Sequence, residues 1–434
     1  MVSGLVIWRI WFGVITSILV CSVQARYIYD QLLNGKSTFV DENALDRFLM
    51  NMDRLNLIQS KIFGIDHVSW FRDQHFCISH RWSGSDQERE VRDQLKMKEE
   101  GDELSGRRAV RTVFSDLRYR WKSFPIHYVF SVLSNYKLIS DKQVIISVDR
   151  DVIEASIKHW EESTCVTFKE TTNYSQQHSL IEFIKGFGCY SNIGRYPYGV
   201  QQISIGFGCE TVGIVAHEIG HALGFFHEQS RYDRDDYVRI LGRNIESGFA
   251  SQFSKHSSKY IETYGVPYDF GSAMHYDQRA FSKSNLNTIE TVDPNYQNTI
   301  GQRSRLSFSD VKKINAAYCS DVCAQKLACQ FGGYTDPKNC SSCRCTDGLS
   351  APLCADPVRT SKDCGQLKRQ ATARFQEIST SGSGECNYLI TAPSRRAQIL
   401  IEFVGALRFP RQIPCRFQFV EIRYEHDLST TGAR

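Results

Sequence analysis

The stretch His217-Glu218-Ile219-Gly220-His221-Ala222-Leu223-Gly224-Phe225-Phe226-His227-Glu228 restricts this 434-residue chain more than any other. His217 and His221 stand four residues apart, so on an α-helix their imidazoles share one face and can grip a single ion. Glu218 lies about 100° further round, near enough to act on a water at that ion without serving as a ligand. His227 follows His221 by six residues, a rotation of roughly 600° on a continuing helix, which would turn it away from the ion. The helix must therefore end between them. Gly224 supplies the stop, because glycine accepts the positive φ of a helix C-cap and lets the chain swing His227 back. Three neutral imidazoles leave one position of a tetrahedral zinc open, the arrangement of a catalytic site rather than a structural one. A bare His-Glu-x-x-His arises readily by chance. With 12 histidines in the chain, a third at the required place cuts that chance by roughly 36, and the required glycine by about 15.

Some fifty residues downstream runs Tyr268-Asp269-Phe270-Gly271-Ser272-Ala273-Met274-His275-Tyr276. The two stretches together resemble the metzincin zinc peptidases with their Met-turn, and Glu228 after the third histidine narrows the resemblance to the astacins. That resemblance implies an α+β fold, a two-lobed catalytic domain with a mixed sheet and an active-site helix. It implies one Zn²⁺ held by His217, His221 and His227, with Glu218 as general base. Met274 would form a soft apolar base beneath the metal, and Tyr276 would hydrogen-bond the oxyanion that develops on the substrate. In the family the N-terminus of the matured chain folds inward and bridges to the acid after the third histidine. That position is Glu228 here, a supporting residue.

The length points to two to four domains. A net charge of +4 from 52 basic and 48 acidic residues argues against a nucleic-acid-binding tail. Residues 1–25 read as a secretory signal, with an apolar run from Ile10 to Val20 and the small-residue cleavage site Val23-Gln24-Ala25. Arg9 leaves that run too short to span a membrane comfortably, so no stable insertion is expected once it is cut. Fifteen cysteines, one inside the signal, fit an oxidising compartment, and together these features predict a secreted, extracellular protein.

Residues 26–108 form a charged pro-segment with helical patches at Ala44–Leu57 and Gln87–Glu100 and a single cysteine, Cys77. Glu100-Gly101-Asp102 resembles the acidic tip through which astacin pro-segments block the zinc, making Asp102 a candidate zymogen switch. The family pattern has an aromatic where Glu99 stands, and Ile62-Phe63-Gly64-Ile65-Asp66 is an alternative. The dibasic pair in Gly106-Arg107-Arg108-Ala109 places maturation near Ala109. Residues 109–319 then match one astacin catalytic domain in size. Ile153, Ile157 and Trp160 mark a helix over Val152–Cys165, while Val166–Phe168 and Leu180–Ile184 read as strands. By resemblance, Gln201–Ile205 would be the antiparallel edge strand that lines the cleft and pairs with extended peptide substrate. Cys165 with Cys319 and Cys189 with Cys209 are the pairs the family implies. Asn173-Tyr174-Ser175 is a glycosylation sequon.

Residues 320–355 carry six cysteines within 32 residues, around Gly332-Gly333-Tyr334, and so short a segment needs staples to fold. It resembles an EGF-like module, whose order would join Cys323 to Cys340, Cys329 to Cys343 and Cys345 to Cys354. A zinc ribbon is disfavoured by export and by the lack of a second C-x-x-C. Residues 364–434 hold the alternating runs Ala397–Phe403 and Phe417–Tyr424 and resemble the start of a CUB sandwich, with Cys364 and Cys386 paired. Its 71 residues are short for such a domain, so a truncated partial sandwich is expected, with Cys415 left over. The expected whole is a zinc endopeptidase made as a zymogen. Its substrates are extracellular proteins or peptides, its EGF-like and CUB modules touch matrix or receptor, and nucleic acid has no part. An adhesion protein with a dead protease domain is the alternative, and the intact Glu218 and ligand set speak against it.

Overall fold

The computed structural model describes residues 111–434 apart from 115, 132–136, 140–141, 145–147, 173–178, 198, 382, 395, 405–412, 416–417 and 426. The signal, the pro-segment with Cys77 and Asp102, the Arg107-Arg108 pair and the sequon at Asn173 lie outside the described residues. Among the described residues, no helix is long and apolar enough to cross a membrane.

The chain enters through β1 (Arg111–Phe114) and β2 (Ile126–Phe130). A hairpin of β3 (Lys137–Ile139) and β4 (Lys142–Val144), with Lys137 opposite Val144, belongs to a separate compact unit. Next comes α1 (Arg150–Ser163), started by Asp149, whose side chain accepts the Val152 N–H. Its buried Ile153, Ile157 and Trp160 recur at helical spacing and face the core. β5 (Phe168–Glu170), β6 (Ser179–Ile184), β7 (Cys189–Ser191) and β8 (Gly199–Ile205) complete a sheet with β2, in the order β5-β2-β6-β8-β7. β5, β2, β6 and β8 run parallel, and β7 alone is antiparallel. Parallel strands are covered on both faces, and Leu180, Ile181, Phe183, Ile203 and Ile205 are accordingly sealed from solvent.

Two strand expectations are corrected here. The antiparallel edge is β7, not Gln201–Ile205, which lies inside β8 and pairs in parallel with β6 as far as Ser204. The short link from Ser191 to Gly199 forces β7 and β8 to run in opposite directions, whereas the longer path from β6 around β7 permits a parallel pairing. β5 also begins only at Phe168, because Val166 is tied into the end of α1 by an N–H bond to Thr164 Oγ1.

α2 (Val212–Ala222) packs between the sheet and α1, and all its residues from Gly213 to Ala222 are buried. Trp160 of α1 donates its indole N–H to the Ala216 carbonyl at 3.0 Å, and Ser156 bonds the Val212 carbonyl. Past α2 the chain is mostly turns, with β9 (Val238–Ile240) paired to β11 (Ile289–Thr291) and β10 (Ile261–Glu262) paired to β1. A second apolar cluster of Val238, Phe253, Tyr268, Phe270, Ile289 and Tyr296 fills this half. α3 (Phe308–Tyr318) closes the domain, with a capping box at Ser307 and Asp310. Cys165–Cys319 joins its end to the end of α1, and Cys189–Cys209 ties β7 to the start of the α2 loop.

The cysteine-rich segment forms two short antiparallel pairs, β12 (Tyr334–Asp336) with β13 (Asn339–Arg344) and β14 (Leu349–Ser350) with β15 (Asp356–Pro357). Its disulfides are Cys323–Cys340, Cys329–Cys343 and Cys345–Cys354. Beyond it, Cys364–Cys386 closes and β16 (Lys368–Gln370) pairs in parallel with β17 (Leu389–Thr391). The strands read from Ala397–Phe403 and Phe417–Tyr424 do not form among the described residues. Leu400 is 74% and Val404 94% exposed, and Ile422 makes only an isolated bridge to Ala433. Alternation prepares a strand, but a strand exists only where a neighbour takes up its backbone groups along a run of residues, and among the described residues of these two runs only Ile422 is paired in this way.

Candidate active site

The site is built on the end of α2. Leu223 donates its N–H to the Ile219 carbonyl, and Gly224 then takes φ 110°. That left-handed turn sends the Phe225 N–H back to the Gly220 carbonyl at 3.0 Å and points the Phe225 carbonyl at His221. His221 Nδ1 lies 2.7 Å from that oxygen, and His217 Nδ1 lies 2.8 Å from the Ala273 carbonyl. A carbonyl can only accept, so both rings carry their proton on Nδ1 and leave Nε2 bare.

His227, brought round by the turn, completes the set. His221 Nε2 is 3.1 Å from His217 Nε2 and 3.1 Å from His227 Nε2. The bare nitrogens of His217 and His221 have no proton to share at that distance, so only a cation reconciles them. Zinc bound tetrahedrally at about 2.0–2.1 Å to each nitrogen requires separations of roughly 3.3 Å, close to those found. Burial holds His221 down to about 4 and His217 and His227 well below the usual imidazole value, so all three are neutral, as ligands must be. The donor set fits zinc, and among the described residues it is the one such cluster.

Glu218 sits beside this set and is 4% exposed. Burial pushes its carboxyl up to about 8, while the charge of Arg303 pulls the other way. Met274 is fully buried against α2. A Cβ added to Gly220 would lie 3.1 Å from its sulfur, so glycine at that position lets the thioether close under the ligand helix. Tyr276 is half-buried with its ring centre 4.3 Å from that of His227, and its N–H is held by Gln229 Oε1 at 3.0 Å.

Glu228 is deeply buried. Its two oxygens are taken up from within the folded domain by Lys313 Nζ at 2.7 Å, Arg231 Nη1 at 3.0 Å and the Asp269 N–H at 3.1 Å. Burial pushes its carboxyl up, but the charges of Lys313 and Arg231 outweigh that and hold it below the usual carboxylate range.

Several residues that hold the site were not singled out from the sequence. Asp310 accepts the Ser272 hydroxyl at 2.6 Å and the Ala273 N–H at 2.8 Å, which pins the turn before Met274. Arg303 donates to the carbonyls of Ala273 and His275. His275 is locked between the Tyr268 hydroxyl and the Tyr276 carbonyl. The one available signal was in α3, where Asp310 and Lys313 stand a helical turn apart among apolar positions.

The sequence profile of the astacin peptidase family matches residues 113–319. Zinc metalloproteinase nas-34 of Caenorhabditis elegans is 40% identical over 98% of this chain and 71% of its own length. Zinc metalloproteinase dpy-31 of Teladorsagia circumcincta is 38% identical over 76% of this chain, which spans 54% of that protein. Among solved structures, high choriolytic enzyme 1, a hatching enzyme zinc-protease of the medaka Oryzias latipes, is 36% identical and covers 46% of this chain and 94% of its own, with a TM-score of 0.40.

Gly224→Ala should strain the turn that positions Phe225 and His227. We expect a loss of about 1–2 kcal/mol of stability and weaker zinc retention on dialysis. Denaturant titration with metal analysis checks this, and a variant as stable and as zinc-loaded as the parent would contradict it.

Proposed function

The chain belongs to the astacins, and we propose that this zinc metalloendopeptidase acts on extracellular proteins or peptides after removal of residues 26–108. The observation that carries the proposal is the convergence of three Nε2 atoms at the end of a helix whose next residue after His217 is the buried Glu218. When bound at His217, His221 and His227, zinc supplies Lewis acidity that polarises the scissile carbonyl and makes water easier to deprotonate. Glu218 takes the proton of the attacking water and passes it to the leaving amine, and its dry setting makes it a stronger base than an exposed carboxylate. Tyr276, whose ring lies tilted beside that of His227, gives its hydroxyl to the oxyanion. β7 lies at the sheet edge, and the loop after it donates the Gly194 N–H to the His221 carbonyl at 2.8 Å. An extended peptide added to β7 would thus run past the ligands.

Export is supported by the signal at 1–25 and by six disulfides among the described residues. Asp102 is the proposed pro-segment residue that covers the zinc, with Asp66 as the alternative, and Asn173 the glycosylated position. Residues 320–355 and 364–434 would serve as EGF-like and CUB-like recruiting modules for matrix or receptor.

Glu218→Ala should bind about one zinc per chain yet lose measurable peptide hydrolysis, because the side chain acts on water rather than metal. Loss of stoichiometric zinc in that variant would make Glu218 structural instead. Tyr276→Phe should lower kcat by roughly 10²-fold with little change in KM, since its hydroxyl is needed only where charge develops. Steady-state kinetics on a quenched peptide decide this, and an unchanged kcat removes Tyr276 from the mechanism. The full-length chain should be inactive until cut near Ala109. Active material whose N-terminal sequence still begins at Arg26 would refute the zymogen.

A further inference from the structure

α3 carries Asp310 and Lys313 three residues apart, hence on one face. Asp310 holds Ser272 and Ala273, just ahead of Met274, and the Ala273 carbonyl is the acceptor for His217 Nδ1. One turn along, Lys313 reaches Glu228, the residue that follows the third ligand. The side chains of Lys313 and Glu228 are 0% and 2% exposed. An ammonium so deeply buried is costly unless it is paired, so Lys313 cannot leave Glu228 without stranding its charge, and Glu228 without Lys313 would have Arg231 alone to balance it. Glu228 also donates its own N–H to the Met274 carbonyl at 3.0 Å. Anything that fixes Glu228 therefore fixes both the Met-turn and, one peptide bond away, His227.

From this geometry we propose that Lys313 is a positioning residue for the zinc site. Its ammonium locks Glu228, and through it His227, while Asp310 on the same face locks the acceptor of His217. One helix thus grips the first and third ligands through their partners. A consequence for control follows, resting on the pro-segment reading above. Among the described residues the positive charges on Glu228 come from Lys313 and Arg231, so the proposal gives the ligand geometry a brace that needs no α-ammonium from a new N-terminus. Removing residues 26–108 uncovers the site rather than assembling it.

The test compares the full chain, cut near Ala109, with Lys313→Met, Lys313→Arg, Glu228→Gln and the double variant Glu228→Gln/Lys313→Met. Zinc transfer to a chelating dye is read alongside kcat and KM. Lys313→Met should lose zinc about tenfold faster or more and lose kcat by a similar factor with KM within about twofold. Lys313→Arg should recover part of both. The double variant should lose less zinc than the two single effects predict, since no charge is stranded. Lys313→Met that melts earlier but keeps its zinc-transfer rate and kcat would reduce Lys313 to a structural residue and overturn the proposal.

Should Lys313→Met fail to fold, the unmutated protein decides the matter. Chains beginning at Ala109, at Arg111 or with two extra residues before Ala109 should agree in kcat/KM within about threefold. A fall beyond about tenfold when the start is shifted would assign the role to the terminal amine instead. An uncut chain as active as the cut one would sink the pro-segment reading alone, and zinc transfer would still judge Lys313.

Discussion

Two imidazole N–H groups given to two backbone carbonyls hold this protein's chemistry in place. The Phe225 and Ala273 carbonyls fix the tautomers of His221 and His217, and so decide which nitrogens face the ion. Neither carbonyl is local in the ordinary sense. Phe225 reaches His221 only because the chain reverses at Gly224, and Ala273 reaches His217 only because the Met-turn is folded against α2. The ligands can therefore be no better placed than those two backbone segments.

The rest of the domain reads as support for them. α2 is buried on all sides between the sheet and α1, and a helix without an exposed face cannot tilt to accommodate a misplaced ligand. Trp160 and Ser156 tie α1 to the backbone of α2, and Cys165–Cys319 ties α1 to α3. α3 then sends Asp310 and Lys313 into the layer beneath the metal. Buried charge in that layer would be a liability in isolation, yet each ionised group there meets an opposite charge or several N–H donors. Such a layer tolerates little movement. That is what an active site needs from its foundation.

The C-terminal residues show the reverse case. Ile399, Leu400, Ile401 and Phe403 alternate with the right chemistry for a strand but remain exposed, because their partners do not come from anywhere in the described chain. The tail from Asp427 onward instead lies on the catalytic domain. The Thr431 N–H bonds Asp269 Oδ1, and the Ser429 carbonyl accepts from Ser309. Periodicity marks what a segment is able to do, and pairing decides whether it does.

The sequence by itself determined the three histidines of the metal site, the carboxyl group next to the first of them and the stop at Gly224. Each of these is a matter of spacing within a dozen residues, where helix geometry and the conformational freedom of glycine leave few choices. It also marked Ile153, Ile157 and Trp160 as the inner face of α1. The family resemblance set the antiparallel edge at Gln201–Ile205, one strand too far along, because which strand ends a sheet depends on pairing that no single run of residues carries. Only the tertiary structure decided that β7 takes the edge, that Arg303 and Asp310 brace the Met-turn, and that Lys313 faces Glu228. The last two of those outcomes join residues 28 to 85 positions apart. At such separations no local periodicity applies, and the pairing is fixed by which burial leaves the fewest charges and backbone groups unmet.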